Sequence, residues 1–182
     1  MFDRALLYAS RLHKGQVRKG TDTLYITHLL AVASIVGENG GTEDEVVAAL
    51  LHDAPEDQGG EATLRDIRTR FGDEVATIVE GCTDTYEDPK PPWRERKERY
   101  LADLASASGS VRLVSSADKL HNASAVLSDY RVLGEDLWNR FNGGKEGTLW
   151  YYRAIVDTLP HDSLVVEELG RVVTDLERLA RG

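Results

Sequence analysis

The chain has 182 residues and 20.2 kDa, with 22 Lys+Arg against 31 Asp+Glu and a formal net charge of −9. Its 41% hydrophobic and 29% charged residues suit a globular protein and are too apolar for a disordered one. The acidic balance argues against bulk nucleic-acid binding, and the longest uncharged stretch, about 24–37, is too short to span a bilayer. The N-terminus lacks the apolar core of a signal peptide, and the one cysteine, Cys82, leaves no partner for an intramolecular disulfide and fits a reducing compartment. The expectation is a single-domain, cytoplasmic protein with no membrane or nucleic-acid partner. A small anionic ligand would have to be met by a local cationic cluster.

Apolar residues recur at helical spacing almost throughout, and no segment alternates with period two for long, so the fold class read from the sequence is all-α. About ten helices are expected, near 2–13, 25–37, 42–54, 62–70, 73–83, 93–106, 110–129, 134–141, 146–159 and 163–181. His13 closes the first helix, and Gly15 and Gly20 frame a basic loop holding Arg18 and Lys19. Thr42 with Glu45 forms a capping box for the third helix, while Thr63 and Asp162 stand as N-caps near the starts of two later helices. Pro55, lacking an amide donor, places Glu56 and Asp57 on a bent turn. The stretch Asp88-Pro89-Lys90-Pro91-Pro92 reads as a loop, and the sign-alternating run 94–99 mostly as an exposed, ion-paired face. The final helix offers Leu164, Val165, Leu169, Val172, Val173, Leu176 and Leu179 as a packing face.

Chemistry concentrates in two segments. AALLHDAPED ends a very apolar helix on His52 and Asp53, with Glu56 and Asp57 following, and so many ionisable groups at a buried end call for compensation that a divalent cation supplies directly. SSADKLHN places Asp118 and Asn122 four apart on one helical face anchored by Val111, Val114 and Leu120. His28 lies inside the apolar run LYITHLLAVA. Two histidines and two aspartates form a mixed nitrogen and oxygen set suited to Mn²⁺, Fe²⁺ or Zn²⁺. Cys82 has no histidine arranged to activate it and reads as a buried small apolar residue. Late in the chain, Lys145, Trp150, Tyr151, Tyr152 and Arg153 form an aromatic and basic patch in which Tyr152 and Arg153 cannot face the same interior.

The order His28, His52-Asp53, Asp118 is that of the HD phosphohydrolase superfamily. With HKGQVRKG (13–20), LYITHLLAVA (24–33), AALLHDAPED (48–57), LRDIRTRFGDEVATIVEGCTDT (64–85) and SADKLHNA (116–123), the chain resembles the hydrolase domains of RelA/SpoT-type alarmone enzymes, most of all the stand-alone small alarmone hydrolases. The resemblance covers about residues 7–122 and, more loosely, the chain to Tyr152. It implies an all-helical HD-domain bundle, with the motif-bearing part at about 7–160 and a packed C-terminal helix at about 163–181. It also implies one Mn²⁺ per chain and removal of the 3′-diphosphate of (p)ppGpp to give GDP or GTP and pyrophosphate. By the same resemblance His28, His52, Asp53 and Asp118 hold the metal, and Glu56 and Asp57 position and activate water. Arg18 and Lys19 lie over the base, and Asn122 lines the substrate pocket. Independently of the resemblance, the late aromatic and basic patch offers one of Tyr152 and Arg153 to border that pocket, and Tyr152 is taken as the substrate-binding member. At this length nothing is left for synthetase or regulatory domains, so a hydrolase alone is expected. Two other readings stand beside this one: the same site acting on (p)ppApp or NADPH, and a silent HD module that senses a nucleotide. The loop around Thr21, Asp22 and Thr23 leaves the choice of purine open.

Overall fold

In the computed structural model, which describes residues 1–87 and 89–182, the chain runs through α1 (Phe2–Leu12), α2 (Ile26–Glu38), α3 (Glu43–Leu51), α4 (Ala54–Asp57), α5 (Gly60–Phe71) and α6 (Asp73–Cys82). It continues through α7 (Trp93–Ser106), α8 (Gly109–Leu133), a 3₁₀ helix (Gly134–Arg140), α9 (Gly144–Thr158) and α10 (Leu164–Arg181). Among the described residues the one β-type pairing is an isolated antiparallel bridge, Val17 to Leu24, which closes the loop between α1 and α2. The fold is all-α, as the periodicity indicates, and no described helix is long and apolar enough to cross a membrane.

Local signals explain most boundaries and several departures. The capping box opens α3: Glu45 N donates to Thr42 Oγ1 (3.3 Å) and Thr42 N to Glu45 Oε2 (2.7 Å). The expected helix 42–54 is in fact two, because the chain turns at His52–Asp53 and restarts at Ala54, where Pro55 fits the first turn of α4 and could not continue α3. Thr63 is not an N-cap. Gly59, at φ 116°, takes that place, and Thr63 sits inside α5 with its hydroxyl donating to Gln58 O. Ser163 rather than Asp162 caps α10, its Oγ accepting from Val166 N (3.3 Å). On α10 the buried stripe is Val165, Val166, Leu169, Val173, Leu176 and Ala180, whereas Leu164 and Leu179 point outward. The helix expected at 134–141 is a 3₁₀ helix over Gly134–Arg140. In the proline stretch residues 89–92 precede α7 without regular structure, and Asp88 lies outside the described residues.

Two buried apolar clusters divide the helices. One joins α1, α2, α3, α5 and α6 with Val111, Val114 and Ala117 from the first half of α8. The other joins α7, α9, α10 and the 3₁₀ helix with Ala123, Val126 and Leu127 from its second half. Asp118 and Asn122 therefore sit on α8 at the seam between them. On the opposite wall Val47 to Leu51 are all fully buried, and each such Val or Leu contributes about 1.5–3 kcal/mol. That run of α3 anchors His52 and Asp53 at the seam from the other side.

Candidate active site

His28 comes from the first turns of α2, His52 from the C-cap of α3, Asp53 from the turn that follows and Asp118 from the middle of α8. One ligand-capable atom from each lies within 4.8 Å of the others. His28 Nε2 is 3.5 Å from Asp53 Oδ2 and 3.2 Å from Asp118 Oδ1, while His52 Nε2 is 3.0 Å and 3.5 Å from the same two oxygens. Both imidazoles turn Nε2 inward because Nδ1 is engaged behind: His52 Nδ1 is 2.8 Å from Ala49 O, and His28 Nδ1 is 2.8 Å from His121 Nδ1. Such outer partners fix the ring and the tautomer of a metal-binding histidine. His52 Nε2 is buried and makes no well-aligned hydrogen bond, although both carboxylate oxygens stand within 3.5 Å of it.

The charges press for a cation at this point. Burial opposes the charged form of His52, yet the adjacent Asp53 and Asp118 carboxylates outweigh it and hold its pKa well above the ordinary value. Burial likewise opposes ionisation of Asp53, but His52 and a hydrogen bond from His28 hold its pKa well below the carboxylate range. Asp118 follows the same direction, with Lys119 as the largest counterweight to its burial. Two carboxylates, the buried Asp118 and the half-buried Asp53, that draw positive charge onto an imidazole, with four donor atoms converging, fit a divalent cation.

A cleft of about 300 Å³ opens beside the cluster, lined by Arg18, Lys19, Tyr25, Asn122, Phe141 and Tyr152 among others. Asn122 links it to the cluster, donating Nδ2 to Asp118 Oδ1 (2.5 Å) and accepting from Arg18 Nη2 (2.8 Å). A second hollow, about 450 Å³, shares Lys19, Phe141 and Tyr152 and adds Glu56, Lys90, Arg96 and Lys97. The expected acidic pair is thus separated. Glu56 faces this hollow with Lys90 Nζ 2.9 Å away, whereas Asp57 accepts from Gln16 Nε2 (2.8 Å) on the α1–α2 side. Lys14 lines neither cavity. Of the run 94–99, Arg94 pairs with Glu98 and Arg99 with Glu87 at the surface, but Arg96 and Lys97 turn inward onto the buried Asp84. This corrects the expectation of an exposed face for those two residues. They lie on the α7 side that faces the loop before the helix, where Arg96 also donates to Pro91 O (3.2 Å), so both cations meet a carboxylate while still bordering the hollow. Tyr152 borders the cleft while Arg153 pairs with Glu177 on α10 (2.6 Å), which resolves the two-sided patch.

Several contributors had no role assigned from the sequence. Tyr25 donates its hydroxyl to Asp53 Oδ2 (2.6 Å) and stacks on the buried His13 ring, 5.2 Å away. His13 Nδ1 is 2.8 Å from Gln16 Oε1, which ties α1 to the same shell. Lys119 is ion-paired to Asp118 Oδ2. In the sequence Tyr25 stands three residues before His28, one helical turn away; nothing local distinguishes Lys119 or His121 from exposed helical residues.

The site and fold define the class of protein: residues 5–148 match the HD domain family, and the chain belongs to it. Among individual relatives, the guanosine-3′,5′-bis(diphosphate) 3′-pyrophosphohydrolase MESH1 of Xenopus tropicalis is 42% identical over 118 residues, and its human counterpart is 40% identical over 118. Each of these alignments covers 63% of this chain and 63% of the relative, so the chain spans less than two thirds of the length of these curated relatives. The bifunctional (p)ppGpp synthase/hydrolase SpoT of Escherichia coli is 31% identical over 98% of this chain and 26% of its own length. Among solved structures, a metazoan ortholog of SpoT described as hydrolysing ppGpp superposes with a TM-score of 0.76 at 28% identity, covering 94% of this chain and 92% of that one. The protein lmo0812 of Listeria monocytogenes gives 0.73 at 32% identity, covering 85% and 99%.

Proposed function

We propose that the protein is a Mn²⁺-dependent hydrolase that removes the 3′-diphosphate of (p)ppGpp as pyrophosphate, with residues 1–182 acting as one unit because α8 belongs to both apolar clusters. The observation that carries this reading is the convergence of His28, His52, Asp53 and Asp118 at the edge of a cleft whose walls combine cations with aromatic and amide groups. The similarity to named ppGpp hydrolases over the motif-bearing region supports the substrate. His28 Nε2, His52 Nε2, Asp53 Oδ2 and Asp118 Oδ1 would hold the metal, which supplies charge neutralisation at the phosphate and acidifies water. Arg18 would stack on the purine, and Lys19, Lys90 and Lys97 would meet phosphate oxygens from the adjoining hollow. Glu56 and Asp57 would orient water or accept its proton, a role worth about 10²–10⁴-fold for a placed general base. Tyr152 and Asn122 would form the wall and the floor of the pocket.

The test is a panel of ppGpp, pppGpp, ppApp and NADPH with Mn²⁺-loaded protein, separating pyrophosphate from phosphate release. Pyrophosphate from ppGpp is expected, with activity and bound metal lost together in Asp53→Ala and Asp118→Ala. Phosphate release from NADPH alone, or hydrolysis of none of the four, would overturn the assignment.

A further inference from the structure

Beyond the His28, His52, Asp53 and Asp118 cluster, the cleft continues along α8, which presents Asn122, Ala125, Val126 and Asp129 to it at helical spacing i, i+3, i+4 and i+7. Asn122 marks the His/Asp-cluster end through its bond to Asp118. Asp129 lies two turns further on, about 10 Å along the helix axis at 1.5 Å per residue. Its carboxylate accepts from Arg140 Nη1 (2.9 Å), and both residues line the cleft. Arg140 is fitted in place: a Cβ added at Gly20 would stand 2.7 Å from its Cδ, so the base-side loop and the guanidinium stem are in close contact. The pair is too solvent-accessible, at 43% for Asp129 and 24% for Arg140, to contribute much to stability. A carboxylate held at the far wall of a cleft whose near wall faces phosphate chemistry calls for a donor-bearing ligand edge.

The purines differ at that edge. Guanine offers N1–H and N2–H₂ side by side, two parallel donors of the kind a carboxylate accepts from a guanidinium. Adenine offers an N1 lone pair beside one amino group, so an ionised carboxylate meets a lone pair. The carboxylate has about four acceptor positions and can keep Arg140 while receiving the base. Stacking by Arg18, in contrast, does not tell the two bases apart.

We propose that Asp129, oriented by Arg140, selects guanine over adenine and hypoxanthine in this cleft. The inference rests on the reading of the site as a purine 3′-diphosphate hydrolase and names the residue that fixes its base. The experiment compares kcat/KM of the Mn²⁺-loaded wild type and Asp129→Asn on ppGpp, ppApp and the inosine analogue ppIpp. A site that pairs with both donors rejects a ligand lacking them strongly, and for this half-open position at least a hundredfold preference for ppGpp over ppApp is expected, with ppIpp between them. In Asp129→Asn the ppGpp/ppApp ratio falls at least tenfold, mostly through KM for ppGpp, because an amide replaces one acceptor with a donor and can pair with adenine. Thermal midpoint and Mn²⁺ affinity stay at wild-type values. Equal kcat/KM on the two substrates in the wild type, or an unchanged ratio in the variant, overturns the proposal. If the wild type turns over none of these compounds, the hydrolase reading fails by itself. Base selection is then read from GDP against ADP binding to both proteins, where equal affinities in the wild type overturn it.

Discussion

Replacing His121 by Phe tests whether the ring behind His28 matters to metal binding. The substitution keeps an aromatic ring near its present 4.9 Å centroid distance from His28 and removes the partner that His28 Nδ1 has among the described residues. Burial and the nearby His28 and Arg18 lower the His121 pKa to about 4, so at neutral pH it is uncharged and Nδ1 can accept. With a cation bound, the Nε2 lone pair of His28 is committed, its proton must sit on Nδ1, and that N–H needs an acceptor. Without the cation, the proton can move to Nε2 and face Asp118 Oδ1 at 3.2 Å. Loss of His121 therefore penalises the metal-bound state selectively. An unsatisfied buried donor costs about 1–3 kcal/mol, which corresponds to about 5–150-fold in affinity, and second-layer changes typically give 10–100-fold. His121 is only half-buried, so water replaces part of the bond and the expected loss is near tenfold. Titration calorimetry with Mn²⁺ at pH 7.5 measures it, with the thermal midpoint of the metal-free protein as control. A dissociation constant within twofold of wild type would refute the argument, as would an equal loss of stability in the metal-free protein.

Three other outcomes follow from particular contacts. Glu56→Gln and Asp57→Asn should retain stoichiometric Mn²⁺ by elemental analysis while lowering kcat by about 10²-fold or more; loss of metal in both would place them among its ligands instead. In Gly81→Ala, the added methyl would lie 2.6 Å from Val111 Cγ2 where α6 meets α8, an overpacking cost of about 1–3 kcal/mol that should lower the thermal midpoint by roughly 2–12 °C for a chain of this size; an unshifted midpoint would show that α8 yields freely. Burial pushes the Cys82 thiol up to about 11, so iodoacetamide at pH 8 should modify it only on unfolding, and rapid labelling of the native protein, followed by mass spectrometry, would contradict that environment.

The residues that converge in the His/Asp cluster were legible in the sequence because each sits where its type is costly without a use: His28 in an apolar helix, His52-Asp53 ending another and Asp118 opposite an amide four residues on. Helix positions were legible for a similar local reason, since the capping box at Thr42 and the 3.6-residue periodicity act within a few residues. The split of the third helix was half visible: Pro55 announces a bend, but whether the chain kinks or restarts depends on how Leu50 and Leu51 are buried against neighbouring helices. The remainder came only with the tertiary structure. His121 behind His28, Lys119 on Asp118 and Tyr25 on Asp53 join atoms from different elements or different faces of one helix, and no spacing rule encodes which partner a polar side chain finds across an interface. The inward turn of Arg96 and Lys97 onto Asp84 and the meeting of Asp129 with Arg140 beside Arg18 are of the same kind. Local physics set the helices and the identities of the ionisable groups, whereas packing of two apolar clusters across α8 decided which of those groups face one another.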